Sequence, residues 1–293
     1  MTIVTEKRNE ATFDIDLMDS YQIAQAINKE DQKVAEAVQK QLEPIGKAIE
    51  LIAQSFSNGG RLGYFGAGTS GRIGVLDASE CVPTFGVEET MVKGYIAGGD
   101  RVLRYSVENA EDEGNLGEAD LADFNPTNKD VVVGVSASGN PKYVLCVLEA
   151  AKKAGASTIG ITSNPEAALN KFCDIVICVV VGPEALRGSS RMKAGTAQKM
   201  VLNMLSTGAM IRIGKAYHNY MIDVKISNKK LYERGCRFVS EICHIDMKEA
   251  EHYLNESGNK VKTACVMKIK NCTKSEAEKL LFDAGGILRK VIG

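Results

Sequence analysis

The hydrophobic positions change period along the chain. From Asp31 onward Val34, Ala37, Val38, Leu42, Ile45, Ile49 and Ile52 recur at three- and four-residue intervals, the spacing of one buried helical face. Residues 19–56 are therefore expected to be helical, with Asp19 or Ser20 capping a first short helix, and Asn58-Gly59-Gly60 ends the region. Beyond it, short apolar runs alternate with helical patterns. Arg61–Phe65 predicts a strand, followed by a glycine-rich turn and a helix to about Cys81; another strand is expected near Met91–Ala97, then an acidic helical stretch over Ala110–Ala122. Asp130–Ser136, DVVVGVS, is a continuous β-branched run, as in a strand buried on both faces. Ser138-Gly139-Asn140-Pro141 turns it into a helix reaching about Ala154, and STIGIT and DIVICVVV predict two further strands.

After Arg191 the segment MKAGTAQKMVLNMLSTGAMIRIGKAY predicts one long helix. Past residue 228 no strand pattern remains, and from Met247 the chain predicts three short helices, with a capping box at Thr273–Glu276. Alternation of strand and helix implies an α/β fold, a parallel sheet flanked by helices. The expected division is an N-terminal helical segment (1–55), a sheet domain (56–220) and a small C-terminal three-helix domain (221–293).

Composition narrows the function classes. Across 293 residues the formal net charge is −1 with no Lys/Arg cluster, which argues against nucleic acid as partner, since that affinity comes largely from neutralised phosphates. The first residues lack the basic-then-apolar run of a signal peptide. The most apolar long segment, Met200–Gly214, carries Asn203 and Arg212 and is too short to span a bilayer. Eight cysteines are scattered without a CxxC pair or zinc spacing, the usage of reduced thiols in a cytoplasmic protein. His218, His244 and His252 form no HExxH, and no GxSxG occurs, so neither a metal site nor a serine nucleophile is expected.

The candidate chemistry lies in the turns after strands. Gly66-Ala67-Gly68-Thr69-Ser70-Gly71 spells GxGxxG, a pattern that brings backbone close to a phosphate at a helix N-terminus. A dinucleotide fold would place an acidic residue at the end of the next strand; Glu88 and Glu89 instead precede that strand. Thr69 and Ser70 add hydroxyls to the loop. Ser136, Ser138, Gly139 and Asn140 follow a second strand, and Ser189 and Ser190 precede the long helix. Loops at the carboxyl ends of parallel strands gather at one place, and such hydroxyls with a helix N-terminus suit one compact phosphate dianion.

GAGTSGRIGVLDASECVPTFG, VENAEDE, SASGNP and SSRMKAGTAQKMVLNMLSTGAMIRIGKAY, together with TEKRN near the N-terminus, closely resemble the N-acetylmuramic acid 6-phosphate etherases of the sugar isomerase domain superfamily. The likeness extends over nearly the whole chain. It departs at Val82, where the family usually has proline, and at Arg187, where threonine is common. The resemblance implies a cytoplasmic homodimer of sugar isomerase fold, active in peptidoglycan recycling or growth on muramic acid, with no cofactor. It would cleave the lactyl ether at carbon 3 of the amino sugar. It also implies Glu80 as the acid that protonates the departing lactate and Glu111 as the base or water activator. Burial of Glu80 among small and apolar residues would keep it protonated. Arg72, Arg191 and Lys193 are candidates to pair with the lactyl carboxylate.

Ser70 and Glu80 are ten positions apart, roughly 15 Å along an unbroken helix, too far for one small sugar phosphate. Either the helix ends early or Glu80 serves a site completed by a second subunit. Two other readings stay open. An aldose–ketose isomerase would need the same base and loops but no acid at Glu80. A non-catalytic sugar-phosphate sensor, as in the glucokinase-regulating relatives, is expected to carry a second sugar isomerase domain, and the short 293-residue chain weighs against it.

Overall fold

The computed structural model describes residues 4–105 and 107–293; residues 1–3 of the N-terminal segment and Ser106 lie outside the described residues. Two compact units emerge. One takes the chain up to Ser79 together with Glu89–Ser206, the other Glu80–Glu88 with Thr207–Gly293.

In the first unit the strands β1 (Leu62–Gly66), β2 (Val92–Ile96), β3 (Val131–Val135), β4 (Ser157–Thr162) and β5 (Ile175–Cys178) form one sheet in the order β2-β1-β3-β4-β5. Every pairing is parallel. Both central strands, β1 and β3, are buried throughout, as expected when helices cover the two faces. On one face Phe65 stacks on Tyr95 with centroids 4.6 Å apart and meets the edge of Phe124 at 5.9 Å. Tyr143, Val144, Val147 and Leu148 complete that layer.

The helices show where local pattern was overridden. Helix α1 (Ser20–Gln39) is a single element opened by a capping box between Asp19 and Gln22, rather than a short helix broken near Asp31. The break falls later, because α2 (Leu42–Ser57) carries Pro44 in its first turn, where a missing N–H costs little. Helix α3 (Gly68–Phe85) runs past Cys81 with Pro83 inside its last turn. The acidic stretch splits into a 3-10 turn at Ala110–Asp112 and α4 (Gly114–Phe124). Then come α5 (Lys142–Lys153) and α6 (Lys193–Arg212). Asp77 on α3 is buried and accepts from Asn203 Nδ2 (2.6 Å) and Ser206 Oγ (3.2 Å) on α6. Burial raises its pKa despite those bonds.

The second unit holds α7 (Lys229–Cys243), α8 (Met247–Glu256), α9 (Val261–Lys270), α10 (Lys274–Asp283) and α11 (Leu288–Ile292). Thus five helices, not three, occupy this region among the described residues. The capping box at Thr273 is present. One of the two helices beyond the expected three, α7, contains Gly235, which is unfavourable in a helix interior. A Cβ there would come within 2.8 Å of Ile226 and 3.1 Å of Leu254, so glycine permits the close packing. Among the described residues no helix is long and apolar enough to cross a membrane.

Candidate active site

The strand order reverses direction between β1 and β3, and in open parallel sheets ligands bind in the crevice outside the strand ends at such a switch point. Gly66 and Val135, the last residues of β1 and β3, are register partners, so the loops that follow leave the sheet side by side. Between them lies a cleft of about 360 Å³. The β1 loop and first turn of α3 supply Ala67, Gly68, Thr69 and Ser70; the β3 loop supplies Ser136, Ser138 and Pro141; Gly188 and Ser190 come from the approach to α6. The three serine- and threonine-bearing segments singled out in the sequence therefore meet.

Two glycines set the geometry. Gly71 packs where a Cβ would sit 2.6 Å from the Gly66 carbonyl oxygen and 2.7 Å from Ile96, so α3 can start hard against the sheet. Gly139 has φ +71°, and a Cβ there would lie 2.3 Å from Ala167. Its N–H donates to Ser136 Oγ at 3.0 Å. Asn164 Nδ2 donates to the Ser138 carbonyl (3.0 Å) and Thr162 Oγ1 to that of Ala137 (3.1 Å), fixing the loop from beneath. Gly71 and Gly139 thus shape the cleft without lining it. Asn140 is exposed and spends its Oδ1 on the Ala168 N–H.

The first N–H groups of α3 have no partner inside their own helix, and with the helix dipole they make the cleft attractive to an anion. No lysine or arginine is among its lining residues, and the two carboxylates that line it are Glu6 and Glu111. Glu111, exposed in its 3-10 turn, also borders an adjoining hollow of about 330 Å³ that contains Arg72. Arg72 donates through Nε to the Leu103 carbonyl (3.2 Å) and through Nη2 to that of Val102 (2.6 Å). Two of its donors therefore hold the 102–103 turn.

The structure places several of the candidates away from the cleft. Lys193 is not available to a substrate carboxylate: it is 1% exposed, and its ammonium donates to Glu30 Oε2 at 2.7 Å. Burial would raise the Glu30 carboxyl, but bonds from Lys193 and Lys33 outweigh it and hold the pKa at about 2. The Lys193 and Ala194 N–H groups, which open α6, both donate to the buried Glu184 carboxylate at 2.9 Å. That helix end is thus satisfied from within, and burial raises Glu184. Arg191 is exposed and does not line the cleft, nor does Ser189. Glu80, expected to be buried, is exposed; α3 is unbroken from Gly68 to Phe85, so the helix does not end early, and Glu80 is not among the lining residues.

Sequence reading missed Thr5 and Glu6. The N-terminal strap is tied down by Asn9 Nδ2 to the Pro183 carbonyl (3.2 Å), Thr12 Oγ1 to that of Ala185 (2.7 Å) and Arg187 Nε to that of Glu6 (2.9 Å). Those bonds bring Thr5 and Glu6 to the cleft wall. The only early signal was the TEKRN segment itself. Arg187, noted as a departure, is thereby a holder of the strap. Among the described residues no group of three or more His, Cys, Asp or Glu could hold a metal ion.

Comparison with known proteins agrees with this architecture. The model of the SIS domain matches residues 115–208. That of the N-terminal SIS domain of glucokinase regulatory protein matches 44–152, and that of the same protein's C-terminal lid domain 218–262. A phosphoheptose isomerase from Francisella tularensis shares the fold, with a TM-score of 0.51 and 19% identity over 66% of this chain and 100% of that one. Proteins named N-acetylmuramic acid 6-phosphate etherase are similar along almost the entire length. One from Actinobacillus pleuropneumoniae serotype 5b (strain L20) is 49% identical over 290 residues, 99% of this chain and 95% of the relative. One from Clostridium acetobutylicum is 47% identical over 291 residues, 99% of this chain and 96% of the relative. With likeness of this extent, the chain belongs to the family of N-acetylmuramic acid 6-phosphate etherases.

Proposed function

We propose that the chain cleaves the D-lactyl ether of N-acetylmuramic acid 6-phosphate, giving N-acetylglucosamine 6-phosphate and D-lactate. The observation that carries the reading is the near-50% identity to etherases over 290 residues. The hydroxyl-lined cleft at the β1–β3 switch point supports it physically. In this reading the phosphate sits on the α3 N-terminus, among Thr69, Ser70, Ser136, Ser138 and Ser190.

An ether oxygen is a poor leaving group, so the route is elimination. Ring opening exposes the C1 aldehyde, which acidifies the C2 proton. A carboxylate removes that proton, the C3–O bond breaks, and the departing lactate oxygen takes a proton from an acid. Water then adds across the C2–C3 double bond, its hydroxyl going to C3 and a proton returning to C2. Glu111, exposed at the cleft edge, is assigned the base and water-activating role, and Glu80 that of the acid. No redox step is involved.

An exposed Glu80 on an unbroken α3 supports a homodimer whose sites are completed by the second copy. Eight free cysteines support residence in a reducing cytoplasm. The test is release of D-lactate from N-acetylmuramic acid 6-phosphate by purified protein. Glu80→Gln and Glu111→Gln are each expected to abolish it, and mixing the two inactive variants is expected to restore part. Full turnover by either variant removes that residue from the mechanism. Failure of the mixture to recover activity, with dimer exchange verified, confines the site to one copy. Sugar-phosphate binding without lactate release points to a sensor or an isomerase.

A further inference from the structure

The amide of Gln198 sits behind the cleft wall and has an unbalanced set of bonds. Gln198 is 3% exposed on α6, and its Oε1 accepts from Ser70 Oγ at 2.9 Å. Its buried Nε2 finds no hydrogen-bond partner among the described residues. Ser70 itself lines the cleft. A serine hydroxyl has one proton to donate and lone pairs to accept with. While that proton goes to Gln198, Ser70 offers an incoming anion only lone pairs, which the anion repels. A half-turn of the amide places Nε2 where Oε1 was. Nε2 then donates to Ser70 Oγ, and the Ser70 proton is released toward the cleft.

We propose that Gln198 is a positioning residue of the phosphate subsite. Its amide turns as the sugar phosphate binds, donating to Ser70 so that Ser70 donates to a phosphate oxygen. This rests on the sugar-phosphate reading of the cleft and adds to it the control of one hydroxyl. A neutral bond, Ser70 to amide oxygen, is exchanged for the amide N–H to Ser70 and a stronger charge-assisted bond to phosphate. The same hydrogen-bond pair is thereby a switch set by the ligand's charge. Gln198 is 128 residues from Ser70 in sequence and is not among the residues lining the cleft.

The experiment is calorimetric titration of the full-length chain with N-acetylglucosamine 6-phosphate. The proteins compared are the wild type, Ser70→Ala, Gln198→Leu, the Ser70→Ala/Gln198→Leu double variant and Gln198→Glu. Gln198→Leu and Ser70→Ala are each expected to weaken binding about tenfold, the scale of one hydrogen bond to a charged group. The double variant is expected to bind no more weakly than Ser70→Ala, because Gln198 acts through that hydroxyl. Gln198→Glu keeps the shape but only accepts when ionised. Its deficit relative to wild type is expected to shrink as pH falls and its protonated carboxyl donates. Additive losses in the double variant, or wild-type affinity in both Gln198→Leu and Gln198→Glu, overturn the proposal. A wild type that binds no sugar phosphate overturns the functional reading and this inference with it.

Discussion

At the scale of single residues, the chemistry expected of Lys193 and the chemistry it performs are different. Its ammonium, 2.7 Å from Glu30 with both side chains almost fully buried, joins α1 to the start of α6. Removing Glu30 leaves the Lys193 ammonium buried and unpaired, and removing Lys193 leaves the buried Glu30 carboxylate with only the half-exposed Lys33 as its cation; breaking a buried pair in this way costs about 3–5 kcal/mol. Lys193→Met is therefore expected to lower the denaturant midpoint sharply. Adding Glu30→Leu is expected to recover much of the loss, since an apolar pair of similar volume is often as stable as a buried ion pair. Chemical denaturation of both variants checks this, and equal stability of the single variant and the wild type would return Lys193 to the list of free cations.

At the scale of elements, the cleft depends on how closely α3 approaches the sheet. Gly71→Ala forces a Cβ within 2.6 Å of the Gly66 carbonyl oxygen and 2.7 Å of Ile96. Neither the strand backbone nor the buried isoleucine yields freely, so the helix N-terminus must shift, at about 1–3 kcal/mol as in other overpacked interiors. A lower melting temperature together with a raised KM for the muramic sugar phosphate is the expected result; a fall in stability with unchanged KM would separate the helix end from phosphate binding. This junction was legible in sequence because strand, glycine turn and helix N-terminus are consecutive. GAGTSG and SASGNP therefore announced two cleft walls, and Ser189-Ser190 the approach to a third. What was not legible came from long separations. Glu30 meets Lys193 across 163 positions and Ser70 meets Gln198 across 128, with no local pattern to signal either. The exposure of Glu80 was hidden for another reason: its buried neighbours Ala78 and Cys81 face the interior, while Glu80 shares an exposed face with Leu76 four residues before it.

At the scale of the whole molecule, ionisable groups buried with partners couple stability to pH. Glu30 is the clearest case, its carboxyl held at about 2 against an ordinary value of 4.5. A carboxyl with a depressed folded pKa contributes stability that is fully present above 4.5 and disappears as pH falls toward 2, because the unfolded chain binds the proton first. For one group displaced this far the contribution is on the order of 3 kcal/mol. Asp130, buried but bound by Arg61 and Thr127, is also lowered and acts in the same direction. Glu184 and Asp77, raised by burial, act oppositely: their stabilisation is present at low pH and is lost as pH rises through their folded values. Stability is therefore expected to be greatest on the acid side of neutrality and to fall steeply below about pH 4, as in linkage generally. Urea midpoints measured from pH 7 down to pH 2.5 read this directly. The Glu30→Leu/Lys193→Met double variant lacks the depressed carboxyl, so its curve is expected to fall less steeply over the same interval while keeping the Asp130 contribution. If wild type and double variant fall in parallel, the buried Glu30–Lys193 pair carries no acid-side linkage.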